Sequence, residues 1–219
     1  MTRFSMKRSD LMTGIAAAVM LTAGALMAIP VNAQPVIGEP APDFSVVDSD
    51  GTIRSLSDFE GKRVILEWTN EGCPFVKKHY DGERANMQTL QSELGGADDT
   101  VWLTVRSSAP GKQGYMTAEQ ANAHASSVGA DPTHILLDPE GTMGRTYDAK
   151  TTPHMFIIDA DEDQTLVYDG AIDNLSGTNP VQIDTAENYV RKASDQMDAG
   201  EAVTPAKTKP YGCSVKYAS

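Results

Sequence analysis

The stretch Val64-Ile-Leu-Glu-Trp-Thr-Asn-Glu-Gly-Cys-Pro-Phe-Val-Lys-Lys-His-Tyr80 constrains this chain most. Val64, Ile65 and Leu66 form a short apolar run of the kind that marks a strand covered on both faces. Thr69 to Gly72 is a polar turn, and Cys73-Pro74 opens a segment whose pattern predicts a helix to about Leu94. Pro74 suits the first helical turn, where its missing N–H costs nothing. A cysteine at such a turn lies beside unpaired backbone N–H groups and the positive end of the helix dipole. Both favour thiolate over thiol, and Lys77 and Lys78, about one turn further on, would add to the effect. Cys73 is therefore the candidate nucleophile, against the alternative of an inert buried thiol.

The strand also fixes how the rest is read. Asp43–Asp48 and Thr52–Leu56 alternate in hydrophobicity around Ser49-Asp-Gly51, which predicts an N-terminal β-hairpin. Further strands are expected at Thr100–Val105, at His134–Leu137, immediately after Pro153 within Thr151–Asp159, and at Leu166–Gly170. Thr117-Ala-Glu-Gln120 is a capping box opening a helix that Gly129 stops. A short helix follows Gly141, and a last one is expected over Thr185–Ala199 with Tyr189, Val190, Ala193 and Met197 on one face. Strands alternating with helices imply an α/β domain of three layers, with a mixed, mostly parallel central sheet.

Residues 1–33 stand apart. Arg3, Lys7 and Arg8 precede an apolar stretch from Leu11 to Ile29, and Val31-Asn-Ala33 offers small residues for cleavage before Gln34. This predicts a secretory signal peptide, a retained N-terminal anchor being the alternative. Export to the periplasm or beyond follows, with a mature chain free of the membrane. Removing three basic residues and one acid takes the net charge from −12 to −14, which excludes nucleic acid and anionic lipid as partners. Cys73 and Cys213, the only cysteines, both survive processing and would permit one disulfide, although their separation along the chain does not show that they meet.

Several motifs resemble a known family. Ala41-Pro-Asp-Phe44, Leu56-Ser-Asp-Phe-Glu-Gly-Lys62 and Leu137-Asp-Pro-Glu-Gly141 are similar to the redoxins that include peroxiredoxins and thiol-specific antioxidants. Gly72–Tyr80, Ser108–Lys112, Lys150–Met155 and Lys209–Tyr217 resemble an exported bacterial, peroxiredoxin-like subgroup. The resemblance spans about 37–217 and implies a thioredoxin-like domain over 37–199, with a tail over 200–219 carrying Cys213. It implies Thr152 and a cis Pro153 facing Cys73, with Asn70, Pro74, Lys77 and Trp68 in support. The chain departs from thioredoxins in having Val76 where the second cysteine of a local pair would stand. It departs from peroxiredoxins in having Leu66 and Asn70 at their Pro and Thr positions, and Arg106 is the candidate for their arginine.

The function so implied is a thiol-dependent oxidoreductase acting on a small peroxide or a protein disulfide, with no cofactor and an external thiol as reductant. Cys213 is either a resolving cysteine or a structural clip, which on the chain-entropy model would stabilise the fold by about 4–5 kcal/mol. The alternative is a binding protein holding copper or a partner through Cys73, His79 and Cys213, with Met155 a further copper-type ligand considered. His79 follows Cys73 by six positions, off its helical face, so no metal is expected. His154 is the other histidine considered as a ligand, while His124 and His134 are read as ordinary surface or loop residues.

Overall fold

A seven-stranded sheet in the order β2-β1-β5-β4-β3-β7-β8 carries the domain. Its strands are β1 (Ser45–Asp48), β2 (Ile53–Ser55), β3 (Arg63–Trp68), β4 (Thr100–Arg106), β5 (His134–Leu137), β7 (His154–Ile158) and β8 (Leu166–Gly170). The computed structural model describes residues 1, 2 and 34–219, so the expected signal peptide lies outside the described residues. No helix among those described is long and apolar enough to cross a membrane.

Strand β3 is central and its side chains alternate between two cores. Val64, Leu66 and Trp68 pack with Phe44, Phe59, Tyr147 and Phe156 on one face. Ile65 packs with Met87, Leu90, Trp102, Met155 and Val190 on the other. Burial on both faces explains the unbroken apolar run, and it makes the three-layer arrangement. Parallel pairing is confined to β3–β4 and β4–β5, while the four outer ladders are antiparallel. The sheet is thus mixed, but parallel only at its centre, because the hairpins at both ends need no helical crossover.

The helices are α1 (Pro74–His79), α2 (Asn86–Glu93), α3 (Ala118–Val128), α4 (Thr142–Thr146) and α5 (Tyr189–Asp198). The single helix expected from Pro74 to Leu94 is two. The chain breaks at Tyr80, passes through Ala85 at φ +46°, and restarts at Asn86. The last helix starts at Tyr189 rather than Thr185, because the Asn188 side chain caps it by accepting from the Arg191 N–H at 2.9 Å. A 3₁₀ turn over Pro180–Thr185 precedes it.

Strand β7 begins immediately after Pro153, as expected. Before it, β6 (Thr151–Thr152) lies outside the main sheet and pairs with β9 (Cys213–Ser214) from the C-terminal tail. This small second sheet joins the tail to the domain.

Candidate active site

Past Trp68 the chain leaves the carboxyl edge of the sheet and forms a fastened turn. The Asn70 carbonyl accepts from the Cys73 N–H at 3.0 Å, and the Asn70 Oδ1 accepts from the Gly72 N–H at 2.9 Å. Asn70 Nδ2 donates to the Gln113 carbonyl and Gln113 Nε2 to the Gly72 carbonyl, both at 3.2 Å. The Asn70 amide therefore shapes this turn, and its donor is turned to Gln113 rather than to the sulfur. Cys73 is the residue before α1 and Pro74 occupies the first turn.

Three segments meet at Cys73, which is fully buried. Its thiol donates to the Thr152 carbonyl at 3.1 Å. The Thr152–Pro153 bond is cis, and Thr152 is the register partner of Cys213 in the β6–β9 pair. Both cysteines are free thiols, and the pairing sets Cys213 opposite the residue whose carbonyl Cys73 bonds.

Their ionisation is pulled apart. Burial opposes the Cys73 thiolate, but donors from the Cys213 side chain and backbone, the Val76 backbone and the Thr152 hydroxyl outweigh it and lower its pKa. In this structure that hydroxyl is buried without a hydrogen-bond partner. Cys213 is pushed up to about 11 by burial, its hydrogen bond to Cys73 and the charge of the Cys73 thiolate, against a small opposing pull from Lys216.

Residues 200–219 are laced to the domain rather than loose. Thr208 N donates to the Asp169 carbonyl at 3.1 Å, Val215 N to the Lys150 carbonyl at 3.1 Å, and Ala109 N to the Lys216 carbonyl at 2.8 Å. Tyr217 donates to the Ala149 carbonyl at 2.7 Å, beneath the Arg145 guanidinium. Gly212, at φ +142°, runs so close to the Thr152 carbonyl that a Cβ would collide with it.

The main anchor is Tyr211. Its hydroxyl donates to Asp173 Oδ1 at 2.5 Å, and Lys78 Nζ donates to the hydroxyl at 3.3 Å and to Asp173 Oδ2 at 3.0 Å. His79 Nε2 lies 3.1 Å from the same hydroxyl, and its Nδ1 lies 2.8 Å from Asn86 Nδ2. The Tyr211 ring packs edge-on to Phe75. This corrects the expectation for the lysines: Lys77 is exposed to solvent, whereas Lys78 is fully buried with its charge held by Asp173. Burial foremost, with the Lys78 charge, holds His79 at about 4 despite Asp173, so its ring is neutral at physiological pH.

Behind Pro153, His154 accepts from the Lys150 N–H at Nδ1, which leaves Nε2–H to donate to Asp169 at 2.8 Å. Burial raises the Asp169 pKa, but His154 and Lys207 outweigh it and keep the carboxyl below its usual range. Trp68 is wholly buried and donates to Ser107, which bonds Asp138; it is core beneath the site. Glu67, next to it, is buried among Trp102, Tyr80 and Gln91 as donors, and burial raises its pKa. A charged residue inside an apolar strand was the available sign of this network, whereas nothing local marked Lys78, Asp173 or Tyr211. Arg106 ends β4 and pairs with Glu71 at 3.1 Å. Among the described residues no three His, Cys, Asp or Glu side chains group as a metal site, and both nitrogens of His79 are engaged. His124 and His134 are half-buried.

The chain is similar to several known proteins. It is 29% identical to a thiol peroxidase of Streptococcus pneumoniae over 147 residues, 64% of this chain and 80% of that one. A crystal structure of a hypothetical protein from Sinorhizobium meliloti shares the fold with a TM-score of 0.68 at 20% identity, covering 85% of this chain and 97% of that one. An uncharacterized conserved protein from Geobacillus kaustophilus does so with a TM-score of 0.68 at 23% identity, covering 84% and 93%. The AhpC/TSA family model matches residues 37–167, more than half of the sequence. With a thioredoxin-like fold and a cysteine at the strand-to-helix turn, the chain belongs to the AhpC/TSA family.

Proposed function

We propose that this protein is an exported thiol-dependent oxidoreductase in which Cys73 attacks a small peroxide or a protein disulfide and Cys213 resolves the product. The observation that carries this reading is the Thr152–Cys213 pairing, which sets a second thiol beside a sulfur already biased toward thiolate. In the peroxide case the Cys73 thiolate attacks one peroxide oxygen. An S–O bond forms, the O–O bond breaks, and the departing alkoxide or hydroxide takes a proton to leave as alcohol or water respectively. In the disulfide case it attacks a sulfur, forms a mixed disulfide and expels a thiolate.

The ionisation order suits resolution. While Cys73 is a thiolate, its charge and hydrogen bond keep Cys213 protonated. Oxidation to neutral sulfenic acid removes both influences and eases loss of the Cys213 proton. The Cys213 sulfur then attacks Cys73, the S–O bond breaks, water leaves, and a Cys73–Cys213 disulfide remains. An external thiol supplies two electrons to restore both thiols. Because Cys73 is covered when the tail is closed, the tail opens to admit substrate and closes for resolution.

The basic, apolar and small-residue pattern of residues 1–33 supports export. N-terminal sequencing of the periplasmic protein tests it: a chain starting at Gln34 is expected, and one that starts at Met1 in the membrane fraction contradicts it. The catalytic reading is tested by thiol-coupled consumption of hydrogen peroxide, an alkyl hydroperoxide and a model disulfide. Cys73→Ser should abolish turnover, and Cys213→Ser should slow it and leave a dimedone-reactive sulfenic acid on Cys73. Full activity in Cys73→Ser refutes the reading.

A further inference from the structure

Strand β6 stands outside the main sheet, and Pro153, which follows it, has no N–H to pin the chain there. Yet the bend of residues 150–154 is where both cysteines are met: the Thr152 carbonyl accepts from Cys73, and Thr152 is the register partner of Cys213. A buried imidazole closes this bend. We propose that His154 is a positioning residue for the thiol pair, holding the bend through the Lys150 N–H so that Thr152 presents its carbonyl to Cys73 and its backbone edge to Cys213. The inference rests on the reading of Cys73 and Cys213 as one redox pair.

Both nitrogens of the ring are committed. His154 is the first residue of β7 and the ladder partner of Trp68, so its backbone belongs to the central sheet. Its ring is 3% exposed and packs on Phe156 with centroids 4.4 Å apart. Nδ1 accepts from the Lys150 N–H at 3.2 Å, across the bend, and Nε2–H donates to Asp169 Oδ1 at 2.8 Å. The ring is flat and rigid, so fixing Nε2 on Asp169 sets both the tautomer and the place where Nδ1 receives the bend. Within the bend the Thr151 hydroxyl donates to the Pro153 carbonyl at 3.0 Å.

The tail is tied to both ends of this arrangement. Lys150, whose N–H meets the ring, accepts through its carbonyl from Val215 N at 3.1 Å, just past Cys213. Asp169, whose Oδ1 holds the ring, pairs through Oδ2 with Lys207 at 2.8 Å, and its N–H donates to the Ala206 carbonyl at 3.0 Å. A side chain that only filled space would need neither nitrogen, whereas positioning needs Nδ1 as an acceptor. With both nitrogens spent on Lys150 and Asp169, His154 acts on the sulfurs through Thr152.

The test is the equilibrium between dithiol and Cys73–Cys213 disulfide in glutathione buffers of graded redox ratio, read by intact mass after acid quench and alkylation. His154→Asn sets an amide oxygen near the place of Nδ1 and still accepts from the Lys150 N–H, whereas His154→Gln reaches Asp169 in place of Nε2 and leaves that N–H unmet. The disulfide should stay within about threefold of wild type in His154→Asn and be at least about tenfold less favoured in His154→Gln, a rise in potential of about 30 mV. His154→Gln matching the wild type, or His154→Asn no better than His154→Gln, overturns the inference and leaves the redox pair standing. No disulfide in the wild type at any ratio refutes the redox pair, and this inference with it. Should a variant fail to fold, the wild type decides. Ring-nitrogen NMR at neutral pH should show Nδ1 unprotonated and Nε2 protonated, with the Lys150 amide slow to exchange; a protonated Nδ1 or a fast Lys150 amide overturns the inference.

Discussion

Replacing Tyr211 by Phe removes one oxygen from the centre of the buried network and leaves the ring against Phe75. Asp173 loses its shortest donor, His79 Nε2 loses its closest partner, and Lys78 loses one of three acceptors. A hydrogen bond to a charged group contributes about 1.5–3 kcal/mol, so about 2 kcal/mol is removed from the closed state. Tyr211 is the tail's contribution to this network, so the loss favours tail opening. The opened population should rise roughly 30-fold, since each 1.4 kcal/mol is tenfold. Cys73 is fully buried and reacts with iodoacetamide only from opened states. Its native-state alkylation, followed by peptide mass under pseudo-first-order conditions, should therefore accelerate by about that factor. Rates that agree within about twofold, or rates in both proteins equal to those expected from global unfolding in urea, would refute the reasoning.

Three further changes probe the same region. Gly212→Ala places a methyl group against the Thr152 carbonyl at a left-handed φ, costing the closed state about 1–3 kcal/mol; the post-peroxide disulfide should form about 5- to 150-fold more slowly, read by quenched-flow alkylation. Cys213→Ala removes the leading donor to the Cys73 thiolate, so the midpoint of its ultraviolet thiolate titration should move up; an unmoved midpoint contradicts the assigned cause. His79 titrates near 4 in the fold against about 6.5 unfolded, so protons favour the unfolded chain in that window. Stability should fall as pH drops from about 6.5 toward 4, by up to about 1.4 kcal/mol per pH unit, and His79→Gln should lose that share in urea titrations.

Much of the fold was legible because its signals are local. The apolar run of β3, the Ser49-Asp-Gly51 turn and the Thr117–Gln120 box each need only neighbouring residues, and each stands where its pattern predicts. The break after His79 was not legible. Tyr80 turns to Glu67 and His79 to Tyr211, and those long-range bonds replace the helical continuation that propensity alone favours. Lys78 reads as a solvated residue until Asp173, 95 positions away, is brought to it. The nearness of the cysteines also depends on distant pairing, because it is made by two residues of β9 joining two of β6. Cys73 itself could be picked out, since a polar turn before Cys-Pro marks the sulfur locally.

The central claim is that Cys73 and Cys213 act as one redox pair. Intact mass and peptide mapping of the pre-reduced protein after a stoichiometric pulse of hydrogen peroxide test it most directly. Loss of two hydrogens with a Cys73–Cys213 linked peptide is the result this account predicts. A protein still fully alkylated at both cysteines, or Cys73 carrying added oxygen while Cys213 remains a free thiol, would contradict it.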